Sequence, residues 1–352
     1  MQSPIRTLLV GVGTRGKHWA RIMHDEPLCE LVGYMDISED NLTQINAEFP
    51  APDGALFTDL DAALAGVEAD LVVLATPPMG HLEQATKVFD SGRDLLAEKP
   101  LAVDLGEAVE IVRYADATGR KLTVGLNFRY QEATMAAKRM FDDKTLGDPS
   151  FAQYTYWTNR DGKRPGINKY PLTMHQPMLY EQSIHHLDQF RFTYDREVVR
   201  VSAVTHNPPW SMYADDASVF ALLEMEGDLL VNYFGTWSGE TKQRWFSWRT
   251  DCPEGAVWQR EMFRDLAIVR KGSDTPEPVD LPEQESLVDD ARAMFTDICE
   301  QLLAGVDEPV PSGRDHIKTL ALTVACEESS QTHQIVEMAE FYARHGIPAE
   351  WL

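Results

Sequence analysis

The sequence predicts two domains: an N-terminal α/β domain built on a doubly wound parallel sheet over residues 1–125, then an α+β domain with a largely antiparallel sheet and C-terminal helices over residues 126–352. Three observations predict this. The chain has 352 residues, more than one ordinary core organises. Its first third alternates short, continuously apolar runs with helical patterns, the signature of strands covered on both faces. Beyond residue 150 the runs become rich in Val, Phe, Tyr and Trp and follow one another through a turn, as in hairpins.

Thr7-Leu8-Leu9-Val10 reads as a buried strand ending in glycines, with a helix from Gly16 to about His24. Leu31–Asp36 is a second strand, and Ser38 then serves as N-cap for a helix over 39–48. Leu71–Thr76 is the most apolar strand, stopped by Pro77-Pro78, and a helix over 80–90 follows. Asp94–Glu98, a helix over 105–117 and a strand at Leu122–Gly125 complete the domain. After a helix at 131–143, segments 150–158, 198–206, 217–225, 229–237, 243–250 and 265–270 have strand character. Glu226-Gly227-Asp228 reads as a hairpin turn, and the tail returns to helix over 285–304 and 313–340.

Hydrophobic residues make up 43% and charged residues 25%, the balance of a globular enzyme. The net charge of −24, from 32 basic and 56 acidic side chains, opposes nucleic acid and anionic membranes as partners. Residues 1–125 alone carry 10 basic and 20 acidic groups, so the charge is spread rather than held in a tail. No run of about 18 apolar residues occurs, and Met1–Arg6 lacks an export signal. The four cysteines are far apart, without metal spacing, which predicts free thiols in a cytoplasmic protein and no metal.

Gly11-Val12-Gly13-Thr14-Arg15-Gly16 is a G-x-G-x-x-G between the first strand and first helix. Gly11 permits the tight turn, Gly13 the close approach of a pyrophosphate to backbone N–H groups, and Gly16 close helix–strand packing. The phosphates are expected at the helix N-terminus, with Thr14 and Arg15 beside them. Asp36, twenty residues after Gly16, ends the second strand where an acid accepts from ribose hydroxyls. Ile37-Ser38-Glu39-Asp40 supplies no cation for a 2′-phosphate, so NAD is expected over NADP.

Thr76-Pro77 and Glu98-Lys99-Pro100 end strands at the edge where parallel sheets bind ligands. A lysine there reaches a reacting centre beside the cofactor. With these motifs, and with His81, Gly125-Leu126-Asn127-Phe128-Arg129 and Glu181-Gln182-Ser183-Ile184-His185-His186-Leu187-Asp188, the chain resembles the Gfo/Idh/MocA family of NAD(P)-dependent sugar and polyol oxidoreductases over nearly its whole length. The resemblance implies a Rossmann domain followed by an open, mostly antiparallel sheet that also mediates homo-oligomers, dimers or tetramers.

It further implies that Lys99 binds the substrate hydroxyl and assists proton transfer. The family's Asp-x-Gly-x-His-x-x-Asp becomes Glu181, Ser183, His185 and Asp188 here. His185 is the expected base, with Glu181 one helical turn away to orient it or hold a substrate hydroxyl. Glutamate for aspartate adds a methylene and serine for glycine narrows the space, so substrate placement is expected to differ from inositol and glucose relatives. Adjacent helical residues point about 100° apart, so His186 is expected to pack rather than react.

Thr76, Pro77, His81, Glu98 and Asn127 join Lys99 and the glycine loop as expected cofactor contacts. Arg129, Tyr156 and Asn168 join Lys99, Glu181 and His185 as expected substrate contacts, the last two within or beside a long aromatic and basic loop over 156–180. The expected reaction is oxidation of a sugar or polyol hydroxyl with hydride transfer to NAD. Transient oxidation with elimination, as in NAD-dependent glycosidases, and non-catalytic sensing of NAD and sugar remain open alternatives. Pentoses, the branched pentose apiose, hexoses and inositols all stay open as substrates.

Overall fold

The computed structural model describes residues 4–165 and 167–352. Residues 1–3 lie outside the described residues. The elements run β1 (Ile5–Val10), α1 (Thr14–Asp25), β2 (Cys29–Met35), α2 (Glu39–Glu48), β3 (Leu56–Phe57), α3 (Leu60–Gly66), β4 (Leu71–Leu74), α4 (His81–Asp90), β5 (Asp94–Ala97), α5 (Leu105–Thr118) and β6 (Leu122–Val124). There follow α6 (Glu132–Asp142), β7 (Phe151–Trp157), α7 (Ile184–Tyr194), β8 (Val198–His206), β9 (Ser218–Met225), β10 (Leu229–Thr236), β11 (Trp245–Cys252), β12 (Gly255–Gln259), β13 (Ala267–Arg270) and β14 (Glu277–Pro278). The chain closes with α8 (Asp289–Leu303), α9 (Gly313–Thr332), β15 (Val336–Glu337) and α10 (Met338–Arg344).

These elements form two compact units. One comprises Met1–Asn127, Leu287–Ile317 and Trp351; the other comprises Phe128–Ser286, Lys318–Glu350 and Leu352. The sequence-based boundary assigns everything after residue 125 to the second domain, whereas Leu287–Ile317 joins the first unit. The attachment is made by hydrogen bonding along β6. The Val124 N–H donates to the Pro311 carbonyl, and Thr123 bridges Ser312.

In the first unit six strands lie in the order β3-β2-β1-β4-β5-β6, all parallel. Leu71–Leu74 is wholly buried, as the continuous apolar run requires of a central strand. Ser38, Asp59 and Asp104 cap α2, α3 and α5 by accepting from the backbone N–H of Asn41, Ala62 and Glu107. Each satisfies a donor that the first helical turn cannot. The short pair β3 and α3 is too brief to leave a periodic pattern and is absent from the sequence reading.

The second unit holds a nine-stranded sheet in the order β14-β13-β12-β11-β7-β10-β9-β8-β15, antiparallel at every junction except β7–β10. The predicted Glu226–Asp228 turn joins β9 to β10, with Gly227 and Asp228 both at positive φ. Alternation sends Val219, Ala221, Leu223, Val231 and Tyr233 inward. The opposite face carries Phe220, Leu222 and Leu230, all exposed, with Phe234 stacked on Phe220 at 4.5 Å.

The helix expected over 313–340 ends at Thr332. His333 takes positive φ, and β15 pairs with β8 before α10 begins. No glycine or proline marks that stop; strand pairing with a distant segment imposes it.

Candidate active site

The glycine turn after β1 is closed by contacts that admit no larger residue. Gly11 has φ +86°, its N–H donates to the Met35 carbonyl, and a Cβ there lies 2.9 Å from the Ala75 carbonyl. A Cβ on Gly16 falls 2.0 Å from the Gly11 oxygen. Nothing lies within 4 Å of a Cβ built on Gly13, so the turn is open on the side where a phosphate approaches. Helix α1 starts there with an exposed Thr14, no side-chain cap and no acid in its first turn. Its N–H groups and dipole therefore face an anion site.

Asp36 is buried against this turn. One carboxylate oxygen accepts from the Val12 N–H at 2.8 Å, the other from the Ser38 N–H and the Asn41 amide. A carboxylate so held, followed by exposed Ile37 and no cation through Asp40, suits ribose hydroxyls and disfavours a 2′-phosphate. The residues present fit a dinucleotide.

The turn after β5 is tied to α1 directly. Glu98 accepts from Arg15 Nε at 2.5 Å and from the Trp19 indole at 2.7 Å. Burial opposes the Glu98 charge, but Arg15, joined by Lys99 and the Trp19 indole, outweighs it and holds the carboxyl below its usual range. Arg15, expected beside phosphate, thus spends its charge on Glu98, and Trp19 is a participant that the sequence reading missed. Lys99 follows, half-buried, with a cis peptide bond to Pro100.

Thr76 donates to Gln84, and Pro77 is exposed. His81 is buried, with Nδ1 3.0 Å from the Leu101 carbonyl and Nε2 3.1 Å from the Thr76 carbonyl. It joins the two turns, and burial lowers its pKa. Asn127 donates to the buried carboxylate of Asp290 at 2.8 Å, another partner with no sequence signal.

In the second unit the expected catalytic helix begins differently. Met178–Ser183 is a π-helical turn that runs into α7, so Glu181 and His185 do not share an uninterrupted α-helical face. Glu181 accepts from the Tyr170 phenol. His185 retains 7% exposure and stacks on Phe128 at 4.1 Å.

His186 is fully buried among Tyr154, Tyr156 and Tyr233. The Tyr233 hydroxyl donates to Ser183 and so accepts from His186 Nδ1, while the Gln182 amide donates to Nε2. Burial pushes the His186 pKa down to about 3. Ser183 is thereby one end of a hydrogen-bond chain that runs through Tyr233 and His186 to Gln182.

Arg129, expected at substrate, is buried and forks onto Asp188 through Nε at 2.7 Å and Nη2 at 2.5 Å. The Thr319 hydroxyl also donates to Asp188. Tyr156 is half-buried, and burial raises its pKa. Asn168 is exposed and accepts from the Tyr170 N–H, turning the loop that delivers Tyr170 to Glu181.

Nearby, His175 stands between two carboxylates, Nδ1 at 2.6 Å from Asp215 and Nε2 at 2.6 Å from Glu327, which also accepts from Tyr180. Burial opposes charge on the imidazole, but Glu327 and then Asp215 outweigh it and raise the pKa above 6.5. A raised folded value means that this tie contributes fully below the unfolded pKa of about 6.5 and is lost as pH rises through the folded value. His175→Gln therefore lowers the melting temperature most below about pH 6.5, and the difference from the parent shrinks as pH rises above that. A difference independent of pH contradicts the tie.

Among the described residues no group of three or more His, Cys, Asp or Glu is arranged for a metal ion, and no helix is long and apolar enough to cross a membrane.

Two family models match the chain: the oxidoreductase family with NAD-binding Rossmann fold over residues 5–126, and the GFO/IDH/MocA C-terminal domain over residues 134–256. The chain is 29% identical over 209 residues to inositol 2-dehydrogenase of Mycolicibacterium gilvum, covering 58% of this chain and 57% of that protein. The chain thus spans little more than half the length of that relative. It is 24% identical over 344 residues to D-apiose dehydrogenase of Paraburkholderia graminis, covering 95% and 90%. Its fold is similar to that of an oxidoreductase from Agrobacterium radiobacter in complex with NAD+, L-tartaric acid and magnesium. That TM-score is 0.88 at 19% identity, over 96% of this chain and 99% of the other. Matched by the family's models through both the parallel and the antiparallel sheet, the chain belongs to the Gfo/Idh/MocA oxidoreductase family.

Proposed function

We propose that this chain is an NAD-dependent dehydrogenase that oxidises a hydroxyl of a sugar or polyol. The observation that carries the reading is the tie between the Lys99 turn and the dinucleotide helix, made by Glu98 to Arg15 and Trp19. It holds an amine at the carboxyl end of β5, the edge at which parallel α/β sheets bind ligands.

Gly11, Gly13, Thr14, Gly16 and Asp36 hold the pyrophosphate and adenosine ribose, with Thr76, Pro77 and Asn127 toward the nicotinamide. His81, Arg15 and Glu98 support the turns. When bound, the nicotinamide supplies the hydride acceptor. His185 Nε2 takes the proton of the reacting hydroxyl, and Lys99 Nζ donates to the oxygen as negative charge develops. Glu181, oriented by Tyr170, anchors a neighbouring hydroxyl, with Tyr156 and Asn168 lining the sugar. Arg129 positions α7 through Asp188 rather than touching substrate. The 1–125 region is then the cofactor domain, joined by the segment that packs with it, and the remainder holds substrate. The exposed Phe220–Phe234 sheet face makes a homo-oligomer, and the free thiols fit a cytoplasmic protein.

The test is a screen of the purified chain against pentoses, apiose, hexoses, inositols and sugar acids, with NAD and NADP compared. NADH absorbance should rise on at least one of them, with NAD preferred about ten-fold or more. Light scattering on the same sample should give a multiple of one chain's mass. Glycoside cleavage without net NADH contradicts the dehydrogenase reading in favour of oxidation–elimination, and no turnover on any carbohydrate contradicts both.

A further inference from the structure

We propose that His316 is a positioning residue for Lys99, acting through the backbone of Leu101. This rests on Lys99 acting in the proposed reaction. Lys99 lies between two residues that are held in place, while its own side chain stays half-exposed. On one side, the Glu98 N–H donates to Leu74 and its carboxylate is held by Arg15 and Trp19. On the other side, Pro100 has no N–H to offer, so Leu101 carries the first backbone donor after Lys99.

That donor points at a side chain. The Leu101 N–H donates to His316 Nε2 at 3.1 Å, while the Leu101 carbonyl faces His81 Nδ1 at 3.0 Å. Leu101, His81 and His316 are all buried, so no water replaces either partner cheaply. Two imidazoles therefore face one residue, His316 at its N–H and His81 at its carbonyl. Because the backbone N–H can only donate, His316 Nε2 must accept, which fixes that ring in its Nδ1–H form.

His316 itself is set by packing. It lies in the first turn of α9, with its N–H donating to the Ser312 carbonyl. A Cβ on Gly313 falls 2.6 Å from Leu122, so the start of that helix sits hard against β6. The helix start, anchored along β6 through Pro311 and Ser312, is the strut from which His316 holds the Lys99 turn. A catalytic group displaced by about 1 Å loses on the order of a hundred-fold in rate, so a support this close to Lys99 has leverage.

The test compares His316→Leu, which removes the acceptor, with His316→Gln, whose amide oxygen replaces it. His316→Leu should lower kcat roughly ten- to hundred-fold while KM for NAD stays within about two-fold, and His316→Gln should recover most of kcat. Hydrogen exchange at the Leu101 amide, measured in parallel, should quicken in His316→Leu and stay slow in His316→Gln. Parental kcat in His316→Leu overturns the proposal. So does equal loss of kcat in both variants with the Leu101 amide still protected in His316→Gln. Should His316→Leu fail to fold, His316→Gln alone decides: near-parental kcat with slow Leu101 exchange supports the clamp, and lost kcat despite slow exchange overturns it. If the parent itself turns over no carbohydrate, the dehydrogenase reading fails, while Leu101 exchange still shows whether His316 holds the turn.

Discussion

Lys99→Met lowers kcat about a hundred- to thousand-fold and leaves NAD binding within about three-fold. Methionine keeps the unbranched stem and removes only the amine. In the proposed reaction the substrate oxygen gains negative charge as its proton leaves ahead of the hydride on the adjoining carbon, and an ammonium fixed beside it is worth most in that charged state. The loss therefore falls on kcat. The dinucleotide is held elsewhere, by the glycine turn and Asp36, whose hydrogen bonds do not involve Lys99. Arginine is no substitute: its fork is wider, its charge is delocalised, and Lys99 sits in a turn braced on both sides. Initial-rate measurements with the best substrate from the screen, together with NADH fluorescence titration, separate the two effects. Parental kcat in Lys99→Met contradicts the assignment, and equal loss of kcat and NAD affinity moves Lys99 from chemistry to cofactor binding.

What the sequence discloses about this site is what local chemistry dictates. Gly11 and Gly16 are legible because no side chain fits their contacts. Ser38 is legible because a hydroxyl before a helical run satisfies a helix N–H. The alternation of β9 and β10 and the turn between them are short-range features as well. What stays hidden depends on partners far along the chain. The Leu101–His316 bond joins residues 215 positions apart, and Asn127–Asp290 joins residues 163 apart. The π-helical turn at Met178–Ser183 leaves the helical pattern of the sequence intact, yet it changes which side chains share a face. Arg129 illustrates the same limit. Its place beside a glycine-ended strand suggests a ligand contact, and only the fold reveals that Asp188, 59 positions on, takes its fork.

Asp188→Ala destabilises the second unit by about 3–5 kcal/mol, because it strands a buried charge. Arg129 and Asp188 are both buried, and the two guanidinium bonds at 2.7 and 2.5 Å are joined by the Thr319 hydroxyl at 2.8 Å. Removing the carboxylate leaves Arg129 desolvated without its counter-charge. Arg191, 3.8 Å from Asp188, cannot help: it carries the same sign and is engaged by Glu197. Removing both members costs less than removing one, since the charge and its partner leave together. Arg129→Met with Asp188→Leu should therefore unfold at a higher urea concentration than Asp188→Ala alone. If the single variant unfolds as the parent does, the pair is not a structural tie. Asp188 lies one helical turn beyond His185 on α7, so the bond that Arg129 makes also fixes the rotation of that helix. The double variant, even where it regains stability, should keep a lowered kcat, because apolar contact restores burial without restoring the directional fork that aims His185.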